Sequence, residues 1–316
     1  MLIRKLTALL AVIIGCLCLV PGANATSPEQ DPFCFTDALG REVRLQESPE
    51  RVAALISSFA DVWQLAGGTV CATAEDAWSD LALDLGDAVN LGGAHSPSLE
   101  ALLSSDPELV LASASTASNV EMKDALEAAG ISVLYFDVDC FEDYLAMLDV
   151  CTDLTGRKDL YEQNGLTLQR RIEAIKAECA QAELPEEQRT VLLLRASSGF
   201  VKAKGSEGTI LGEMLSDLGC VNLADNDTSL LETLSVEHVI REEPYRIFVV
   251  TMGDDTQKAL DNLARMMEEN PAWGLLEAVQ EDRLHVMDRK LFNLKPNANW
   301  ATSYEILRDI LLDAGE

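Results

Sequence analysis

Between residues 156 and 183 the apolar side chains Tyr161, Leu168, Ile172, Ile175 and Cys179 recur at helical spacing. Gly165 lies in the same row, and Arg170, Arg171, Glu173, Lys176 and Glu178 face elsewhere. The pattern predicts one long amphipathic helix. About 24 helical residues at 1.5 Å each reach roughly 36 Å, enough to lie against two bodies at once.

The two sides of this helix resemble each other. Upstream, residues 96–114 read SPSLEALLSSDPELVLASA, and downstream, residues 233–252 read TLSVEHVIREEPYRIFVVTM. At an offset of 137, Ser98 falls on Ser235, Glu100 on Glu237, Leu103 on Ile240, Pro107 on Pro244 and Val110 on Ile247. Each copy predicts a short helix, a proline and an apolar strand. A generic unit of that kind also recurs by chance, but with a spanning helix between the copies, two similar α/β lobes are the economical reading.

The rest of the chain keeps this grammar. Strands are predicted at 51–56 (RVAALI), 69–74 (TVCATA), 109–114 and in ISVLYFDV. Helices intervene at 59–65, stopping at Gly67-Gly68, then before Ala129-Gly130, and from 141 to about 154. After the spanning helix come TVLLLRA, a hairpin-like GFVKAKGSEG, the helix TILGEMLSDLG and the strand CVNLA. The second copy follows, then a helix at 256–269, the strand LHVMD and a last helix at 300–312. Apolar strands alternating with helices imply parallel sheets covered on both faces.

The N-terminus stands outside this scheme. Arg4 and Lys5 precede an apolar run from Leu6 to Val20, which Pro21 and Gly22 break before Ala23-Asn24-Ala25. That is the layout of a secretory signal peptide cleaved after Ala25, and it places the protein in the periplasm or cell envelope. Ile13-Ile14-Gly15-Cys16 is a rival lipobox that would leave a lipid on Cys16, although the residues after Cys16 stay apolar. The division expected is signal 1–25, N-terminal lobe 26–154, spanning helix 155–184 and C-terminal lobe 185–316.

Composition changes the picture in two ways. The formal charge is −29, and removing Arg4 and Lys5 with no acid makes it −31, which disfavours nucleic acid and anionic membrane surfaces as partners. Of eight cysteines, Cys16 and Cys18 lie in the signal. The remaining six, Cys34, Cys71, Cys140, Cys151, Cys179 and Cys220, permit disulfides without dictating them. Cys71 and Cys179 sit in apolar patterns and read as core.

In order along the chain, FTDALGREVRL, SPSLEALLSSDPELVL, GEMLSDLGCVNLA, LSVEHVIREEPYRIFVV and NPAWGLLEAVQEDRLHVMD with LKPNANW resemble the class III substrate-binding proteins of ABC importers. That group serves ferric siderophores, haem and corrinoids. The resemblance runs from about residue 33 to the C-terminus. It implies an α/β fold of two Rossmann-like lobes with parallel sheets, joined by one interlobe helix, with a ligand cleft between the lobes. It also implies a monomer that delivers its load to a permease and its ATPase, with no intrinsic cofactor. In such proteins a surface glutamate on each lobe docks against permease arginines, and the matching positions are Glu100 and Glu237. Ser96 with Pro97, and Thr233 with Leu234, look like helix starts, so the helix dipole alone is a competing reason for an acid at both places.

The cleft is expected where strands end and helices begin. In the first lobe this selects Ser57, Ser58 and Phe59, the loop with Trp78, and His95. Ser58 with Asp61 forms a plausible capping box, and the same helix start is also able to hold an anionic ligand edge. In the second lobe the rule selects Arg195 with Ser197 and Ser198, then Lys202, Lys204, Met252, Phe292, Asn293 and Lys295. Arg195 follows a fully apolar strand; its guanidinium either grips a ligand carboxylate or phosphate or pairs with one of many acids. Trp78 and Phe292 are either stacking platforms or core, while Trp63 and Trp273 read as core.

Only three histidines exist. His238 lies in a helix and His285 in a strand, so neither obviously converges with His95, as bare-metal capture would require. The ligand expected is therefore a pre-formed chelate: a ferric siderophore first, then a corrinoid, or haem with His95 as the one axial candidate in the cleft. The rival class is an exported two-lobed hydrolase or transferase, but G-x-S-x-G, G-x-x-x-x-G-K, G-x-G-x-x-G and H-E-x-x-H are all missing.

Overall fold

A computed structural model of the chain describes residues 33–253 and 255–313. The signal segment, the cleavage site after Ala25 and Cys16 lie outside the described residues.

The chain enters as an antiparallel ribbon of β1 (Phe33–Thr36) and β2 (Glu42–Leu45). Asp37 shapes its turn: its buried carboxylate accepts from the Leu39 and Arg41 backbone N–H groups and from the Arg41 guanidinium at 2.6 Å. Five parallel strands follow, β3 (Val52–Ala54), β4 (Val70–Thr73), β5 (Val89–Asn90), β6 (Leu109–Ser113) and β7 (Ser132–Phe136), in the order β5-β4-β3-β6-β7. The second sheet contains β8 (Thr190–Ala196), β9 (Val201–Ala203), β10 (Val221–Asn222), β11 (Arg246–Thr251) and β12 (Leu284–Met287). Its parallel order is β10-β8-β11-β12, with β9 antiparallel on β8. Strand order reverses beside β3 in one sheet and beside β8 in the other, and such switch points open a crevice at the carboxyl edge.

Alternation along the strands divides the core. Val52, Ala54, Leu109 and Leu111 of the first sheet, with Val191, Leu193, Phe248 and Val250 of the second, join one apolar cluster that includes the spanning helix. The residues between them, Ala53 and Val110 on one side and Leu192 and Val249 on the other, enter separate clusters on the outer faces. Both sheets are thus covered on both faces, as the apolar strand runs predicted.

The spanning helix buries Gly165, Leu168, Ile172, Ile175 and Cys179 of the expected row, while Tyr161 at its start is only half-buried. Each buried Leu or Ile contributes about 1.5–3 kcal/mol. It is helical from Lys158 through Gln181, but Glu162–Leu166 form a π-turn that the apolar spacing did not foretell. The Thr167 hydroxyl donates to the Glu162 carbonyl at 2.9 Å across that wider turn. A Cβ on Gly165 would stand 2.7 Å from Leu145 Cδ1, so glycine lets the helix Phe141–Thr155 approach closely. Lys176 pairs with Asp217 on one side and reaches Glu142 at 3.9 Å on the other, bridging the lobes.

The internal repeat extends to backbone angles. The helices Leu99–Ser104 and Val236–Glu242 are followed by Asp106 (φ 50°) and Glu243 (φ 46°), equivalent left-handed residues ahead of Pro107 and Pro244. β6 and β11 then begin at equivalent positions. The expected helix starts are corrected: the caps are Ser98 and Ser235, whose hydroxyls accept from the Ala101 and His238 N–H groups at 3.2 and 3.3 Å. Ser96 instead closes a turn onto Gly93, and Thr233 ends the helix Ser229–Glu232.

Candidate ligand cleft

At the carboxyl edge of the first sheet, β3 leads into the helix Ser57–Leu65, whose N-cap is Ile56 with no side-chain cap. The Ser58–Asp61 capping box is therefore corrected. Asp61 accepts instead from Asn297 Nδ2 at 2.7 Å, and the same amide donates to the Ser58 carbonyl at 2.9 Å. The C-terminal segment thus returns to the first lobe and supplies the donor. Burial raises the Asp61 pKa, and the Asn297 bond partly restores it.

The Ser57 hydroxyl donates to Asp76 at 2.6 Å, leaving the other Asp76 oxygen buried without a partner. Thr73, at the end of β4, has a buried hydroxyl in the same condition. Past β6, the Ser113 and Ser115 hydroxyls lie 3.0 Å apart and the Ser113 N–H donates to Asn119 Oδ1. The Asn119 amide nitrogen and the Ser118 hydroxyl are buried and unpartnered. Trp78 is half-buried against the core and His95 is exposed. Phe59 is 1% exposed and packs edge-on against Phe136, and Phe292 is 2% exposed. Both rings belong to the shared core, which leaves no ring face for a ligand to stack on.

The second sheet's carboxyl edge has the opposite chemistry. Arg195 and Lys202 face each other across β8 and β9, and Lys204 follows. Burial lowers the pKa of Arg195; burial, then Arg195 and Lys202, lower that of Lys204. Among the described residues no acid lies within 4 Å of Arg195, Lys202, Lys204 or Lys295, so the salt-bridge reading of Arg195 is not realised. Arg195 Nε is buried with no acceptor. Lys295, in the returning segment, has its pKa lowered by burial, with Asp139, Asp137 and Asp143 acting in the opposite direction. Met252, 38% exposed, follows β11 and donates its N–H to the Ala196 carbonyl. Ser197 is buried and accepts from the Gly199 and Phe200 N–H groups.

Two contacts tie the edges together: the Asn297 amide already described, and an ion pair from Arg289 Nη1 to Asp80 at 2.8 Å. Arg289 Nε and Asn297 Oδ1 are also buried without partners. Of the ten such orphaned side-chain atoms among the described residues, seven belong to these carboxyl-edge segments. Buried polar atoms are ordinarily satisfied, so their concentration sets these carboxyl-edge segments apart from the rest of the described residues.

Sequence reasoning missed Thr73, Asp76, Ser113, Ser115 and Asn119, although the strand-end rule it used for β3 would have found them at β4 and β6. It missed Asp80 and Arg289 because nothing local announces a partner 209 residues away.

The histidines stand apart. His238 lies 3.0 Å from Asp227 and beside Arg241, and His285 lies against the Phe248 ring. Among the described residues no group of three or more His, Cys, Asp or Glu is placed to hold a metal ion.

Two doubly covered α/β lobes, one spanning helix and a polar cleft at facing carboxyl edges define a two-lobed binding protein. A family profile described as "Periplasmic binding protein" matches residues 52–291, and the chain belongs to that family. It is therefore a binding protein, and the alternative of an exported enzyme is set aside. The chain is 21% identical, over 94% of its length and of the relative's, to a putative ABC transporter substrate-binding lipoprotein, YhfQ, of Bacillus subtilis. It is 22% identical, over 90% of both chains, to the Fe(3+)-citrate-binding protein YfmC of the same organism. Among solved structures, SirA of Staphylococcus aureus complexed with staphyloferrin B superposes with a TM-score of 0.67 at 20% identity, covering 88% of this chain and 97% of that one.

Proposed function

We propose that this chain is the extracytoplasmic receptor of an ABC importer, and that it captures an anionic ferric chelate of the siderophore type and passes it to a permease and its ATPase. The observation that carries the reading is the unpaired cation set at the second edge. In a chain with 53 acids and 24 Lys and Arg, Arg195, Lys202 and Lys204 have no acid partner within 4 Å among the described residues. A negatively charged ligand compensates them. The ligand named for YfmC is of that chemistry.

The lobes divide at the spanning helix, 26–154 and 185–316, after removal of residues 1–25 or lipidation at Cys16. Glu100 and Glu237, both exposed and both second residues of serine-capped helices, form the docking pair on a monomer. Ser57, Ser58, Trp78 and His95 face the ligand from the first lobe, and Met252 and Lys295 from the second.

A thermal-shift screen of the purified exported chain against ferric citrate, other ferric siderophores, haem, cobinamide, zinc and manganese tests the proposal. A ligand present at 100 times its dissociation constant stabilises by about 2.7 kcal/mol. A shift with a ferric chelate supports it. A shift with bare metal alone, or with cobinamide alone, contradicts it.

A further inference from the structure

The lobes are joined by contacts of two kinds. Where the C-terminal segment returns to the first lobe the contacts are complete: Arg289 meets Asp80 at 2.8 Å, and Asn297 donates to Asp61 at 2.7 Å and to the Ser58 carbonyl at 2.9 Å. At the spanning helix one contact is only half made. Lys176 is paired with Asp217 of the second lobe, and the same Asp217 oxygen accepts the Tyr304 hydroxyl at 2.6 Å. The Tyr304 ring centre lies 5.7 Å from the ammonium, so this end of the contact is held from two sides. Toward the first lobe the ammonium stops 3.9 Å from Glu142, in the first turn of the helix Phe141–Thr155. That is about 1 Å beyond a closed charge-assisted hydrogen bond. Acids surround it on both lobes. Burial raises the Glu213 carboxyl, the Gly208 N–H draws it back, and Asp217, Asp139 and Glu207 raise it again, Asp139 from the first lobe.

We infer that Lys176 is an interlobe clasp: its Asp217 arm stays made, while its Glu142 arm closes as ligand draws the lobes together and releases as they part. The clasp slows ligand escape without touching the ligand. It rests on the interlobe cleft described above and not on the choice of chelate. A slack contact beside tight ones is where relative motion of two bodies is taken up. A small rotation about the tight contacts either brings Glu142 onto Lys176 or withdraws it, so the pair has different strength in the two states and shifts the balance between them. Glu142 is 65% exposed, which keeps the effect modest and sensitive to salt.

The test compares Lys176→Met, which keeps the stem beside Tyr304 and loses the charge, with Glu142→Gln and with the double variant, all in the full exported chain. Release of ferric citrate is timed by stopped flow, and small-angle X-ray scattering of the ligand-free proteins reads the opening without any ligand. Each single variant is expected to release ferric citrate about twofold to fivefold faster at low salt, and the double variant no faster than Lys176→Met alone. The difference should vanish in about 0.5 M sodium chloride, where charges are screened over about 4 Å. Ligand-free, both variants should scatter as more extended particles than the native chain. Faster release from Lys176→Met with slower release from Glu142→Gln would overturn the clasp, leaving Lys176 as a counter-charge to the surrounding acids. Unchanged release and scattering alongside a lower melting temperature would overturn it too, making Lys176 a fixed tie. If the native chain does not bind ferric citrate, the ferric-citrate form of the chelate reading falls, and the scattering of the ligand-free variants alone decides the clasp.

Discussion

The two carboxyl edges are built from the same unit and carry different chemistry. Helix, left-handed residue, proline and strand recur at an offset of 137, and Asp106 and Glu243 share even their backbone angle. Yet the first edge presents hydroxyls, an amide and a carboxylate, from Ser57, Thr73, Asp76, Ser113 and Asn119. The second presents Arg195, Lys202, Lys204 and Arg289. A repeated scaffold fixes where a cleft forms; the residues placed after each strand decide what enters it. On the proposed reading, one lobe would supply hydrogen bonds to the ligand and the other would neutralise its charge.

The largest effect is expected where the lobes are alike. Reversing both exposed acids, Glu100→Arg with Glu237→Arg, should reduce uptake to background in a transport assay while ligand affinity is retained. Loss of affinity would show that these helices serve the cleft and would remove the docking assignment. Next comes the contrast between the edges. Arg195→Ala should cost about tenfold to a hundredfold in affinity for the ferric chelate, whereas Ser57→Ala, which removes a hydroxyl whose proton is already donated to Asp76, should cost about fivefold. Equal losses in the same titration would erase the distinction.

The smallest effect is a pH signature. Lys204 is depressed by burial and by Arg195 and Lys202. Between its depressed pKa and the ordinary value near 10.5, the unfolded chain binds more protons at this site than the folded one. Ligand-free stability from Lys204 therefore rises with pH across that window. Affinity for an anionic ligand should fall across the same window as the cation is lost. Arg195→Ala, which removes one cause, should move the window upward. Calorimetric titration in alkaline buffers reads both trends, and affinity rising with pH would contradict a cationic edge.

Much of this architecture was legible because buried parallel strands and amphipathic helices leave strong local periodicity. TVLLLRA and the helices at 256–269 and 300–312 form over the residues the pattern indicated. The caps Ser98 and Ser235 were shifted by two residues because serines and a threonine nearby offered equal chemistry, and only backbone geometry chooses among them. Arg195, Lys202 and Lys204 could be picked out as candidates because cations after an apolar strand are conspicuous in an acidic chain. Phe59 and Phe292 could not be placed, since an aromatic beside a strand end faces core or cleft according to packing alone. The Asp80–Arg289 and Asn297–Asp61 contacts join segments more than 200 residues apart, beyond the reach of any local pattern.

The most direct test of the central claim is to locate iron by anomalous X-ray scattering in crystals of the exported chain grown with its ferric chelate. The account predicts a single iron site between the carboxyl edges, with the chelate's acids on Arg195 and its other face toward Ser57 and Asp76. Iron found elsewhere would contradict it; the groove of about 500 Å³ beside the ribbon, lined by Arg41, Arg44 and Glu127, is the clearest alternative.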